Sequence, residues 1–217
     1  LTWEMGVNLS TISNKVEDLP VEYLTTGKPS GPGLDGETAQ VIRSGYPIGT
    51  FWGKVFEGFD ADGKSVFKKD EDGKDVEEKI GCAQPDFTLG LSTTVRWRNF
   101  DLTANFNGVF GNDVYNRAWQ NAGHNVTKRA ANDTREALGN PEDYSSRYIE
   151  DGSYFRLSNL TLGYNVPLKS NKWLSGLYVY VNGTNLFCIT DYSGYDPEVN
   201  ASRVTNGVPA LGIGWTQ

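Results

Sequence analysis

The chain has 217 residues, a net charge of −7, 25 glycines and 12% aromatic residues, with a mean hydropathy of −0.48. No stretch approaches the ~20 consecutive apolar residues of a membrane helix, and the acidic balance sets nucleic acid aside as a partner, since that ligand needs clustered Lys and Arg. The low mean hydropathy excludes less than it suggests, because the two faces of a membrane strand differ in polarity and cancel in the average.

In chain order, Leu1, Trp3, Met5, Val7 and Leu9 alternate with Thr2, Glu4, Gly6, Asn8 and Ser10. This period of two marks a strand with unlike faces. Residues 14–45 form a long connection, followed by a Gly- and aromatic-rich strand over Ile48–Phe59 and a polar loop over 60–86. Across its start, Gly58-Phe59-Asp60-Ala61-Asp62-Gly63-Lys64-Ser65 satisfies the phosphate-loop pattern literally. That chemistry needs backbone N–H groups at a helix N-terminus. Here Asp60 and Asp62 would oppose phosphate and no apolar helical stripe follows, so no nucleotide cofactor is expected.

The clearest alternation begins at Phe87. Phe87, Leu89, Leu91, Thr93, Val95 and Trp97 share one face; Thr88, Gly90, Ser92, Thr94 and Arg96 share the other. After Arg98-Asn99, Phe100, Leu102, Ala104, Phe106, Gly108 and Phe110 alternate with Asp101, Thr103, Asn105 and Asn107, predicting a hairpin with a very short turn. Each arm is eleven residues long, the ~9–11 that a tilted strand needs to cross a bilayer. Phe87, Trp97, Phe100 and Phe110 bracket the apolar faces, as ring residues do at the two half-wet interfaces of a membrane barrel. Soluble strands are shorter, about 5–6 residues.

Residues 111–153 form a second long polar connection. A strand follows over Tyr154–Val166, its phase broken near Ser158-Asn159, which predicts a bulge. Pro167–Gly176 is a modest turn; Leu177, Val179 and Val181 then alternate with Tyr178, Tyr180 and Asn182, and 188–217 is a third long segment. Short turns on one side and long loops on the other describe an outer-membrane barrel. Counting strands up and down puts 60–86, 111–153 and 188–217 outside, but places the long 14–45 segment on the short-turn side.

Several segments resemble the SusC-like family of TonB-dependent importers. Ile48-Gly49-Thr50-Phe51-Trp52-Gly53-Lys54-Val55-Phe56-Glu57-Gly58-Phe59 is similar to its Gly-rich strand, Pro85-Asp86-Phe87-Thr88-Leu89-Gly90 to a strand opening, and Gly108-Val109-Phe110-Gly111-Asn112-Asp113-Val114-Tyr115-Asn116 to a loop motif. Tyr148-Ile149-Glu150-Asp151-Gly152-Ser153-Tyr154-Phe155-Arg156-Leu157 resembles a fourth motif, and Asn182-Gly183-Thr184-Asn185-Leu186-Phe187 with Tyr192-Ser193-Gly194-Tyr195-Asp196-Pro197-Glu198 a fifth. Five motifs in family order are far more specific than any one.

The resemblance implies an all-β, antiparallel transmembrane barrel, of which 1–217 supplies about six strands from the C-terminal part. It further implies an N-terminal plug and a final strand beyond these residues. A SusD-like surface lipoprotein, the TonB complex, membrane lipid and a glycan or peptide substrate are the implied partners. The family's acidic calcium-like segment reads here Lys68-Lys69-Asp70-Glu71-Asp72-Gly73-Lys74-Asp75. Lys68 stands at the first ligand position, so a solvated turn is expected and no metal.

Asn112, Tyr115, Asn116 and Trp119 are the substrate-binding candidates, since they open the longest outer loop and a Trp face suits a sugar ring. Loop packing is an equal reading for them. No catalytic constellation is present. His124 has no partner His, and Cys82 and Cys188 form no CxxC, leaving their pairing open. The alternative from another class is a soluble β-rich carbohydrate-binding module; a passive porin would share the barrel.

Overall fold

The computed structural model describes residues 1–27, 37–120, 136, 140, 143–168, 174–199, 204–205, 208–209 and 213–214. In chain order its strands are β1 (Thr2–Thr11), β2 (Leu24–Thr26), β3 (Gln40–Ile42), β4 (Thr50–Lys54), β5 (Phe56–Phe59), β6 (Ser65–Phe67), β7 (Glu77–Cys82), β8 (Phe87–Trp97), β9 (Phe100–Phe110) and β10 (Asp113–Asn116). After a short helix α1 (Arg117–Gln120) come β11 (Ile149–Asp151), β12 (Tyr154–Val166), β13 (Leu177–Thr190), β14 (Val204–Thr205), β15 (Val208–Pro209) and β16 (Ile213–Gly214). They fall into two units: residues 1–11, 87–110 and 153–190, and residues 12–86, 111–152 and 191–217.

The first unit is one sheet of five strands in the order β1-β8-β9-β12-β13, antiparallel throughout. The expected hairpin is present, with Trp97 opposite Phe100 and Phe87 opposite Phe110. Arg98 opens its two-residue turn at φ 54°, the positive φ that tight hairpins demand. Its guanidinium lies 5.1 Å from the Trp97 ring centre, within cation–π range. The expected bulge is also found: the register of β12 shifts between Leu157 and Asn159 against both neighbours. On β13, Asn185 takes φ 50° beside it.

The sheet corrects one expectation. β1 pairs directly with β8, from Thr2 opposite Arg96 to Thr11 opposite Phe87. Ile48–Phe59 is therefore no strand of this sheet; it is split into β4 and β5 of the second unit. Residues 12–86 become a single connection, leaving and re-entering at the same end of the strands as 111–152 and 191–217. The 14–45 segment does not belong on the short-turn side, and the conflict in the strand count disappears.

The second unit holds the four-stranded β2-β3-β4-β7 sheet, the β5-β6 hairpin and a β11-β10-β16 sheet whose last pair is parallel. Its core is aromatic: Phe51, Tyr115, Tyr144 and Tyr148 with Ala39 and Ala83. Tyr115 and Tyr144 meet edge to face at 5.1 Å, and the Tyr144 hydroxyl donates 2.7 Å to the Ala39 carbonyl. That bond lets a polar ring be buried without an orphaned hydroxyl. Gly53 faces the Tyr144 ring, where a Cβ would come within 2.7 Å of it.

Candidate functional site: the sheet faces and the long connections

The register sorts the five-stranded sheet into two faces. On one, β1 contributes Trp3, Met5, Val7 and Leu9, β8 Leu89 and Leu91, β9 Leu102 and Phe106, β12 Phe155, Leu160 and Leu162, and β13 Val181, Phe187 and Ile189. Leu89, Leu91, Leu102 and Phe106 are not buried. Val181 is 72% exposed and Ile189 65%. No second layer from this unit's described residues covers them. A water-soluble sheet must bury its apolar face against another element; this one presents it outward over strands of bilayer length.

The aromatics that bracket the apolar face pair across strands at both ends. Phe87 and Phe110 stack at 4.7 Å, and Phe100 lies 4.5 Å from Tyr164 at the other end beside Trp97. Between them the Phe106 ring stacks on Phe155 at 5.4 Å.

The opposite face is polar and cross-linked. Arg96 donates 2.6 Å to Glu4, Thr94 and Thr103 share a bond of 3.2 Å, and Asn182 donates 2.7 Å to Thr161. Ser158 bonds Asn107, whose amide donates 3.1 Å to the Tyr154 hydroxyl. Polar side chains with partners suit a wall that borders water and protein.

The loop candidates lie in the second unit, and the structure brings them together inside it. Tyr115 is fully buried and its hydroxyl bonds Gln120. Asn112 is 9% exposed, and its carbonyl accepts the Gly152 N–H at 2.8 Å. Asn116 is 1% exposed. Its Oδ1 accepts the Trp119 N–H at 2.9 Å, capping α1, and its amide donates 3.0 Å to Glu150. Glu150 in turn accepts the Ser193 hydroxyl at 2.7 Å and N–H at 2.8 Å. Burial, with the nearby Glu150 charge, pushes the Tyr192 phenol up to about 12. Three of the four candidates thus sit among packing partners, and Trp119 alone is part-exposed. Its ring meets Tyr148 edge-on at 5.3 Å, and the Arg147 guanidinium lies 5.5 Å away. His124 falls outside the described residues.

The phosphate-loop pattern and the acidic segment are twin hairpin turns. Asp60 Oδ1 accepts the N–H groups of Asp62 and Lys64 at 2.9 and 2.8 Å. Asp70 Oδ1 accepts those of Asp72 and Lys74 at 3.0 and 2.8 Å. Gly63 and Gly73 take φ 77° and 78°, the left-handed position of a three-residue hairpin loop. Each lead Asp spends its carboxylate oxygen on its own turn. Among the described residues no group of three or more His, Cys, Asp or Glu could hold a metal ion. Cys82 and Cys188 are both free thiols.

No family model matches the chain. It is 31% identical to TonB-dependent receptor P3 of Formosa agariphila, over 98% of this chain and 25% of that protein. It is 27% identical to TonB-dependent receptor SusC of Bacteroides thetaiotaomicron, over 96% of this chain and 23% of that protein. The solved RagAB peptide transporter superposes with a TM-score of 0.74 at 22% identity, over 98% of this chain and 25% of that one. The chain spans about a quarter of the length of the curated relatives it matches. Over that quarter its sequence is similar to curated TonB-dependent receptors, SusC among them, and its sheet is part of an antiparallel β-barrel.

Proposed function

We propose that the chain forms barrel wall and external connections of an active importer in the bacterial outer membrane. It admits large solutes, oligosaccharides or peptides, draws energy from the TonB complex through a part of the protein outside these residues, and works with a SusD-like surface lipoprotein. The observation that carries this reading is the five-stranded sheet: strands of 10–14 residues, one face apolar and bracketed by rings, the other polar and bonded across strands. Such a face suits hydrocarbon. The same face weighs against a soluble carbohydrate-binding module.

The three long connections then lie on the outer side, and the Asn112, Tyr115, Asn116 and Trp119 group meets solute through Trp119, with the other three as its buried support. The relatives named as receptors and transporters agree with a role without catalysis. The test is fractionation of the native protein, followed by uptake. It is expected in the outer-membrane fraction, soluble only with detergent, and its deletion or loss of TonB is expected to abolish uptake of its solute. Recovery as a monodisperse protein without detergent would sink the reading.

A further inference from the structure

The second unit contains an open cleft of about 410 Å³ that the motifs do not account for. Its floor is β4 at Trp52 and Gly53, with the buried Tyr144 ring beneath; β3 adds Val41 and β7 adds Glu77. The volume suits a side chain or a short peptide end.

Charge decides what fits. Glu22, Glu37, Glu77 and Asp143 line the cleft against two cations, Arg43 and Lys54. Both cations are already engaged. Arg43 lies 3.4 Å from Glu22. Lys54 lies 2.8 Å from Asp143 and 3.4 Å from Asp75. Burial works against the Lys54 ammonium, yet Asp143 and Asp75 outweigh it and hold its pKa above the ordinary value. Glu37 and Glu77 enter no ion pair among the described residues and stand exposed at the cleft. The surplus is therefore two exposed carboxylates at the edge of the cleft.

A second feature specifies the kind of cation. The Trp52 ring carries the Arg43 guanidinium 5.1 Å from its centre and meets Tyr46 edge-on at 5.6 Å. Tyr23, half exposed, borders the same space. Indole and phenol faces favour organic cations, whereas a metal ion needs converging oxygens that the described residues do not provide.

We propose that this cleft receives the cationic end of a peptide: a lysine or arginine side chain or a free amino terminus. The cleft supplies aromatic edges, Glu22 as a shared acceptor, and Glu37 and Glu77 as unspent counter-charges. The proposal rests on the importer reading for its meaning, since it assigns the solute a peptide character, but its test is independent.

Calorimetry of the purified protein in detergent, with trilysine, triglutamate, maltotriose and calcium chloride as separate probes, decides it. Trilysine is expected to bind, and to weaken roughly tenfold in the Glu37→Gln/Glu77→Gln double variant, a loss of about 1.4 kcal/mol. Glu71→Gln, on an exposed turn residue outside the cleft, is expected to leave binding unchanged. Glu77→Gln alone is expected to give a smaller loss in the same direction, so that one foldable variant suffices. Binding of triglutamate or maltotriose equal to trilysine overturns the proposal, as does displacement of trilysine by millimolar calcium or an unaffected double variant. Trilysine binding by a protein that proves soluble without detergent would leave this site standing and remove the importer.

Discussion

The Tyr178 hydroxyl on β13 donates 2.8 Å to Asp101 on β9, although β12 lies between them. Neighbouring strands are about 4.8 Å apart, so the phenol must lie flat across the intervening strand. It passes over Gly163, which stands opposite Asp101 in the register. A Cβ there would overlap the Tyr178 hydroxyl and come 2.7 Å from Asp101 Oδ2. Glycine is thus required by close approach, and one side chain ties three strands on the polar face.

Gly163→Ala is expected to destabilise the sheet more than Tyr178→Phe does. The phenylalanine variant loses one solvent-exposed hydrogen bond, a small term. The alanine variant must lift the ring, losing the same bond and the packing beneath it. Urea unfolding in detergent micelles would order the two. An alanine variant as stable as wild type would show that the ring has another place to go.

The apolar face predicts an asymmetry between neighbours in sequence. Leu91 and Ser92 sit mid-strand on opposite faces of β8. Leu91→Arg is expected to cost about 2–4 kcal/mol, as charges do on the lipid face near the midplane. Ser92→Arg is expected to cost well under half as much, since it points to the polar face. The measurement is folding free energy into lipid vesicles. Equal costs would mean that the leucine does not face hydrocarbon.

How much of this was legible depends on what each residue faces. The β8–β9 hairpin could be read pair by pair, because in a bilayer strand polarity alternates without interruption and Trp97 and Phe100 fix the turn. The bulge at Ser158 was legible for the same reason: a broken phase has few other causes. Ile48–Phe59 was not. Phe51 is fully buried and Trp52 part-buried on adjacent positions of β4, so its apolar residues serve a local core, and their composition matches that of a membrane strand. The one sign was the misplaced length of 14–45. The burial of Asn116 escaped because its partners Glu150 and Ser193 lie 34 and 77 residues away, and an asparagine with distant partners looks like any loop asparagine.

Arg147 predicts a non-conservative Arg-to-Lys change. Its guanidinium donates to both Glu136 oxygens, at 2.7 and 2.5 Å, and lies 4.8–5.5 Å from the rings of Phe59, Tyr148, Phe56 and Trp119. Its side chain is 6% exposed and that of Glu136 25%. Arg147→Lys keeps the charge but loses the fork and the flat stacking surface. A loss of about 2 kcal/mol is expected, less than the 3–5 of a fully buried broken pair, because Glu136 can rehydrate. Thermal unfolding checks it, and an unchanged midpoint would reduce the ring cluster to packing alone.

Asp113 stands on β10 and accepts the Cys82 N–H at 2.8 Å. Burial holds its carboxyl above the ordinary 3.8, and the nearby Asp151 and Asp86 charges push the same way, against the Cys82 bond and Lys79. A raised folded-state pKa means that the folded protein takes up this proton more readily than the unfolded chain. The associated stability is full below the unfolded value and is lost as pH rises through the folded one. Asp113→Asn keeps an acceptor for the Cys82 N–H and removes the buried charge and its repulsion. Its stability relative to wild type is therefore expected to increase as pH rises from about 3 and to level off once wild-type Asp113 is ionised. Denaturant unfolding of both proteins across that range reads the difference directly. A gap that is flat with pH, or that closes as pH rises, would show that the Cys82 hydrogen bond outweighs burial and that Asp113 stabilises the fold as a carboxylate.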